Sequence, residues 1–408
     1  MILAPIKLKI DWRRASRRLI LIVSGLTLAS ATFGFILHRT QRHEHGIANA
    51  IQGDGGRIAF QSCLPDWIPD SIRRRAPLCD RIQTVDLNGG TVPPVGGKVI
   101  SDQMLAKLGS LTQLRRLLLD HSQVTDASLK HLNGLTHLEM LNLNDTQIGV
   151  EGLGHLKSLS NLTTLELAQT RVSDAGLSSL SSLGKLEVLN LTRTDLNGSG
   201  LKHLQRLTTL RVLSLGHTQV TDSGLEHLQG LVNLTWLDIS HSKVTDSGLE
   251  HLQTLTSLDT LFLNGALVRG AGLQFLKPLT NLTRLELCDT PLDDYGLANL
   301  RGFTGLRYLA LNGTNVTGAE SGFRGMTAIL TLQLKETKVT DAGLESLIDL
   351  PNLDTLYLNQ TPVTDASLEH LKRLPNLRRL YLDGTRVTPA GRASLRAAMP
   401  QCRLHPDE

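Results

Sequence analysis

The chain has 408 residues, a formal net charge of +4 and only 3% aromatic residues. The basic charge lies at the start of the chain, because residues 1–42 hold eight Lys and Arg against Asp11 and the rest of the chain carries −3. The basic pI is therefore no evidence for nucleic-acid binding, and we expect no nucleic-acid partner.

The first 38 residues have the pattern of a membrane anchor. Residues 1–18 form a basic tail, and residues 19–38 include 19 consecutive residues without a charge, from Leu19 to Leu37. About 20 apolar residues span a bilayer as a helix. Because six Lys and Arg precede the span, the positive-inside rule predicts a single-pass protein with a cytoplasmic N-terminus and an extracytoplasmic body. The alternative is a signal peptide cleaved near Ala29-Ser30-Ala31, which would make the body a secreted protein.

A short polar stalk (residues 39–48) and an N-terminal cap (residues 49–80) are predicted next. The cap contains Gly55-Gly56-Arg57-Ile58-Ala59-Phe60, which indicates a turn leading into a strand. In an exported protein, Cys63 and Cys79 could form a disulfide, or they could be two free thiols. Cys288 and Cys402 lie far apart along the repeats, so we expect both to be unpaired.

Residues 81–398 repeat a pattern of 24 residues, L-x-x-L-x-x-L-x-L-x-x-T-x-V-T-D-x-G-L-x-x-L-x-x. A period of this length with leucines in fixed columns predicts a solenoid, in which each turn is stabilised by its neighbours. Residues 81–87 are its first strand, residues 89–98 contain an insertion, and residues 399–408 are a closing turn. The regular units begin at Leu111, Leu135, Leu159, Leu183, Leu207, Leu231, Leu255, Leu279, Phe303, Met326, Leu350 and Leu374.

Three columns of the unit predict its local structure. The L-x-L segment is a short strand that pairs in parallel with its neighbours. The following Thr or Ser column supplies hydroxyls for backbone groups where the chain leaves the sheet, and only Ala266 interrupts it. The Asp column precedes a short helix on the other side and is placed to cap it. In the unit that starts at Phe303, Gly318 replaces the Asp, so we expect a distorted helix between Val316 and Met326.

These residues resemble a known family. Segments such as V220-T-D-S-G-L-E-H-L228 are similar to bacterial membrane-anchored leucine-rich-repeat proteins of the V-T-D-x-G-L repeat type. They are also similar to the repeats of F-box leucine-rich-repeat proteins, although no F-box precedes them here. The resemblance covers about residues 49–404 and implies an α/β leucine-rich-repeat solenoid (horseshoe) with a parallel concave sheet and short convex helices. The apolar span adds one N-terminal transmembrane helix before it. It also implies protein recognition on the concave face and, with Thr in the column where the family carries Asn, no Asn ladder.

Large aromatic side chains and arginine, the residue types that anchor interfaces, occur at the exposed strand positions of the later units. They favour a binding patch, although long side chains that merely shield the leucine sheet are the alternative. Tyr357 and Tyr381 are 24 residues apart in one column, so we expect their rings to stack. The candidate binding residues are Trp236, Phe262, Arg284, Tyr308, Tyr357 and Tyr381.

Metal, cofactor and enzyme functions have little support in the sequence. His217 and His241 share a column, but the adjacent units offer Arg193 and Gly265 there, so a third ligand is missing. Since no catalytic motif occurs, we predict a non-enzymatic module without a cofactor or metal that binds a protein or an envelope polymer. A structural spacer or self-associating envelope protein is the alternative, and a ubiquitin-ligase-type adaptor or an enzyme is disfavoured.

Overall fold

The structure is a computed structural model that describes residues 42–53, 55–62, 80–87, 99–319 and 322–405. The predicted basic tail and membrane span, Cys63 with Cys79, and the insertion lie outside these ranges and stay predictions. Within the described ranges, no helix is both long enough and apolar enough to cross a membrane. The chain divides into two compact units, residues 1–89 and 90–408.

The first unit contains a helix, α1 (residues 42–53), and an antiparallel pair of strands, β1 (Arg57–Ser62) and β2 (Asp80–Asp86). Helix α1 runs across the predicted boundary between stalk and cap. It packs through Ile51, which is fully buried, and through Glu44, whose carboxylate accepts a 3.0 Å hydrogen bond from the Ile82 amide. The predicted turn before β1 is present, with Gly55 at a φ of 76°.

The second unit begins with helix α2 (Asp102–Gly109), and a parallel sheet then follows in chain order. Each strand of this series has three residues and pairs in parallel with its neighbours in the series, which confirms a leucine-rich-repeat solenoid with an open parallel sheet. Its strands are β3 (Arg116–Leu118), β4 (Met140–Asn142), β5 (Thr164–Glu166), β6 (Val188–Asn190), β7 (Val212–Ser214), β8 (Trp236–Asp238), β9 (Thr260–Phe262), β10 (Arg284–Glu286), β11 (Tyr308–Ala310), β12 (Thr331–Gln333), β13 (Thr355–Tyr357), β14 (Arg379–Tyr381) and β15 (Arg403–His405).

The return segments on the other side are short, and many of them are 3-10 helices instead of α-helices. The α-helices are α3 (Val150–Gly154), α4 (Asp222–Leu225), α5 (Asp294–Ala298), α6 (Leu368–Leu371) and α7 (Pro389–Ala398). The 3-10 helices are Asp126–Leu132, Asp174–Ser182, Leu201–His203, Glu226–Leu228, Asp246–Leu252, Ala271–Leu276, Ala342–Asp349 and Asp365–Ser367.

The interior is a continuous column of leucines. Both leucines of a strand segment, for example Leu117 and Leu119, have no exposed surface, and neither has Leu129 from the return segment. Burying a leucine side chain is worth roughly 1.5–3 kcal/mol, so the repeated leucines supply most of the driving force. Cys288 and Cys402 are free thiols, as predicted. Burial raises the pKa of each to about 11.

The hydroxyl column acts as predicted. Each Ser or Thr donates to the carbonyl three residues earlier, at 2.6 Å from Thr218 to Leu215, and Thr218 is only 1% exposed. Ala266 is equally buried and provides no hydroxyl. The donors are Ser122, Thr146, Thr170, Thr194, Thr218, Ser242, Thr290, Thr314, Thr337, Thr361 and Thr385.

The Asp column caps backbone of the following repeat, which corrects the prediction that it caps its own helix. Asp246 accepts from the amides of Arg269, Gly270 and Gly272 at 2.8–3.0 Å. The residue before it, Thr245, is the N-cap of the Asp246–Leu252 helix. The carboxylate therefore lies one position too far along to cap its own turn, and it reaches the neighbouring turn instead.

The unit that starts at Phe303 differs where expected. Its described residues between Val316 and Met326 form turns, where a distorted helix was predicted. Gly318 has a φ of 77° and supplies no carboxylate. The amide of Thr340 in the next unit bonds instead to the Thr317 carbonyl, at 3.3 Å.

Two features of the repeat were not predicted. In another column than the one the family fills with Asn, five asparagines each donate to a carbonyl 25 residues earlier: Asn161, Asn233, Asn281, Asn352 and Asn376. The residue before each Thr or Ser column position has a left-handed backbone. Nine such residues are not glycine: His121, Asp145, Gln169, Arg193, His217, His241, Asp289, Glu336 and Gln360.

Candidate functional site

The six candidate residues lie on the sheet face of β8 to β14, and each is half-buried. The L-x-L pattern determines this placement, because successive side chains of a strand point to opposite sides and the leucines occupy the interior. The candidates form two groups that are separated by β12. The first is the Trp236 cluster (Trp236, Phe262, Arg284 and Tyr308). The second is the Tyr381 stack (Tyr357, Tyr381 and His405).

The Trp236 cluster is held together by ring and cation–π contacts. The rings of Trp236 and Phe262 lie 5.1 Å apart. The guanidinium of Arg284 lies 4.1 Å from the ring centre of Tyr308 and 5.5 Å from that of Phe262. It also donates to Glu286, at 2.5 and 2.9 Å. The charge of Arg284 is thus paired with Glu286 within the cluster.

Tyr308 continues this network. Its hydroxyl accepts a 2.7 Å hydrogen bond from the Gln333 amide, and the Gln333 carbonyl oxygen accepts from Asn312 at 2.8 Å. Burial, and next the Glu286 carboxylate, raise the pKa of Tyr308. Tyr308 therefore remains a neutral phenol at physiological pH.

The Tyr381 stack confirms the predicted contact between Tyr357 and Tyr381, whose rings are 4.2 Å apart and nearly parallel. Its third member was missed: His405 stacks on the other side of Tyr381, at 4.4 Å. The available signal was its position, since His405 follows Tyr381 by the same 24 residues that separate the two tyrosines. Burial, and next a hydrogen bond with Tyr381, raise the pKa of Tyr357.

Arginines border the Tyr381 stack. Arg379 binds one oxygen of Asp354 through Nε at 3.2 Å and Nη2 at 2.6 Å. This contact holds the pKa of Asp354 below its usual value. Arg378 reaches the same carboxylate only at 4.0 Å, too far for a hydrogen bond. Arg403, on β15, is exposed.

The earlier half of the sheet face carries polar side chains beside the apolar Leu118, Met140, Val188 and Val212. Glu166 accepts from Asn190 at 2.7 Å and from Asn144 at 3.4 Å, so its charge is held within the protein. His217 and His241 stack at 4.2 Å. Across the described ranges, no group of three or more His, Cys, Asp or Glu side chains is arranged to hold a metal ion.

Comparison with known proteins agrees with this geometry. Residues 134–156, 158–181, 206–228 and 231–252 match the family described as Leucine Rich repeat. An internalin from Listeria monocytogenes superposes with a TM-score of 0.56 and 23% identity, over 75% of this chain and 88% of the internalin. A leucine-rich-repeat protein from Leptospira interrogans gives 0.55 and 19%, over 77% and 94%. No curated protein sequence matches the chain. Four segments of the chain thus match leucine-rich repeats, and the solved structures, at these low identities, show that it has the leucine-rich-repeat fold.

Proposed function

We propose that the protein is a non-enzymatic binding module, which recognises a protein or an envelope polymer through its sheet face. Protein binding is the general role of leucine-rich-repeat proteins. We further propose that residues 19–38 anchor the chain in a membrane, with the repeats outside the cytoplasm.

The observation that carries this proposal is the concentration of half-buried aromatic rings on one half of the sheet face. The rings contact each other and keep part of their surface open to solvent. Their conformations are limited in advance by strand pairing and stacking, so binding spends little ordering entropy. Tyrosine, tryptophan and arginine are also the residues that carry most binding energy in known interfaces.

The test is crosslinking of the tagged full-length chain in cells of its source organism, followed by identification of what is captured. We expect the double variant Tyr357→Ala/Tyr381→Ala to lose a specific captured molecule. The matched control is Tyr295→Ala, since Tyr295 lies on helix α5, away from the sheet, and is 77% exposed. Equal capture by the wild type and both variants would show that the sheet face is not the binding surface.

The second candidate function is a spacer or self-associating envelope protein. It is favoured by the contacts within the Trp236 cluster, because Arg284 already pairs with Glu286 and does not need a charged partner from another molecule. Sedimentation of the purified chain distinguishes the two, because a self-associating protein changes its mass with concentration while a receptor for another molecule does not. Protease accessibility on intact cells tests the proposed side of the membrane.

A further inference from the structure

The last repeat differs from all others in charge. Residues 374–408 contain no lysine, three acidic residues (Asp383, Asp407 and Glu408) and six arginines: Arg378, Arg379, Arg386, Arg392, Arg396 and Arg403. Residues 111–373 have the opposite balance, with 21 Lys and Arg against 27 Asp and Glu. Positive charge in the repeats is therefore concentrated at one end, beside the Tyr381 stack.

The geometry of the stack limits what it can bind. Tyr381 has a ring against each face, Tyr357 on one side and His405 on the other. A ligand ring or sugar therefore has no access to either face of Tyr381. The edges of the three rings carry phenol hydroxyls and imidazole nitrogens. These are hydrogen-bonding groups, and they suit a polar ligand better than an apolar one.

One arginine next to the stack already binds a carboxylate. The guanidinium of Arg379 holds the Asp354 carboxylate through two nitrogens. Asp354 is thus a carboxylate bound on this face by the protein itself. Arg378 directly precedes β14, and Arg403 lies next to Arg379 on the paired strand β15. Both are exposed, and neither makes a side-chain hydrogen bond to the described residues. Planar guanidinium groups bind carboxylates with two parallel hydrogen bonds.

One other acidic side chain of the described residues lies on this part of the sheet. Asp383 is exposed and accepts a 2.8 Å hydrogen bond from Asn359. Among the described residues, the two carboxylates Asp354 and Asp383 do not balance Arg378, Arg379 and Arg403, so the described part of this face keeps an excess of positive charge.

We propose that the sheet face of β13 to β15 binds an acidic polypeptide segment, with its Asp and Glu carboxylates on Arg378 and Arg403 and its backbone against the edges of the Tyr381 stack. This inference rests on the proposed function and gives it a class of partner. Complementary charge on an exposed face gives specificity and faster association, and the binding weakens as salt is added.

The experiment is fluorescence anisotropy of a labelled peptide of ten alternating Asp and Glu residues with the purified full-length protein. A peptide of Asn and Gln of the same length is the neutral control. We expect saturable binding of the acidic peptide alone, and a loss of roughly tenfold in affinity in Arg378→Gln/Arg403→Gln. Arg379 is kept, since its removal would take away both arginine hydrogen bonds of the Asp354 carboxylate.

The matched variant is Arg386→Gln/Arg396→Gln, which removes the same charge from the last repeat away from the sheet face. We expect it to change the affinity by less than about twofold. Equal weakening in both double variants would show general charge attraction and overturn the proposal. Two other results would overturn the proposal. One is that the acidic peptide does not bind, and the other is that the protein binds inorganic polyphosphate or polygalacturonate more tightly than the peptide.

Failure of this inference and failure of the proposed function give different results. If the acidic peptide does not bind but capture in cells still depends on Tyr357 and Tyr381, the partner is of another class and the sheet face remains the binding surface. If neither the peptide nor capture in cells depends on the sheet face, both proposals fail.

Discussion

The side chain of Asp246 binds the backbone of Gly272, which lies 26 residues further along the chain, with one carboxylate oxygen 2.8 Å from the amide nitrogen. The same carboxylate accepts from Arg269 and Gly270. A Cβ at position 272 would lie 2.1 Å from the Asp246 carbonyl oxygen, so glycine is required where the two turns approach. One side chain thus joins two repeats through three backbone amides.

Replacing Asp246 by Ala is expected to lower the free energy of unfolding by about 1–3 kcal/mol, because it leaves part-buried amides without an acceptor. Glu250→Ala is the control, since Glu250 is an exposed acid on the same 3-10 helix. The measurement is the urea midpoint by circular dichroism. If both variants unfolded at the same urea concentration, the inter-repeat bonds would contribute nothing measurable.

The hydroxyl column gives a pair of opposite substitutions. Thr218→Val removes the buried donor to the Leu215 carbonyl and should cost about 1–3 kcal/mol. Ala266→Ser adds a hydroxyl within reach of the Leu263 carbonyl, three residues earlier, and should stabilise the protein by about 0.5–1.5 kcal/mol. Thermal unfolding compares them with the wild type. A destabilising Ala266→Ser would mean that the interior there has no room for the oxygen.

The left-handed column predicts a strong dependence on side-chain shape. Gln169 has a φ of 57° and an exposed side chain. A β-branched residue is a steric outlier in this conformation, so Gln169→Val should cost roughly 1–2 kcal/mol. Gln169→Gly removes the clash and should be close to neutral, since its gain in the folded state offsets the greater freedom of the unfolded chain. Equal urea midpoints for the two variants would contradict this explanation.

The His217 and His241 pair predicts a pH dependence. Burial, and next the neighbouring His241, lower the pKa of His217 in the folded protein, although Asp238 opposes this. Below about pH 6.5 the unfolded chain therefore binds more protons than the folded one. The contribution of His217 to the free energy of unfolding should be fully present above this pH. It should be lost as the pH falls through the lowered pKa of His217 in the folded protein.

This decrease is measured as the urea midpoint between pH 8 and pH 5. His217→Gln should flatten the curve relative to the wild type, because it removes both the titrating group and its repulsion with His241. His155→Gln, a change on the return side of the solenoid, should leave the slope as it is. Identical slopes in all three proteins would show that the pair does not contribute.

The strand positions, the buried leucines and the hydroxyl column could all be predicted from single residues, because each depends on a side chain's own place in the repeat. The contact between Tyr357 and Tyr381 was predictable for the same reason, since parallel pairing puts equal positions side by side. The role of Asp246 could not be predicted. A carboxylate at the start of a helix lies near the amides of its own helix and those of the next repeat, and only the spacing between turns decides which amides it reaches.

The sequence alone therefore determined the period, the side of each residue and the leucine interior, since these follow from alternation along a strand and from the removal of apolar surface from water. Only the tertiary structure decided which polar partners are shared between repeats. It decided that Arg284 is neutralised between Phe262, Tyr308 and Glu286, while Arg403 stays exposed next to His405. Such differences depend on distances of a few ångströms between strands, and a repeating pattern carries no record of them.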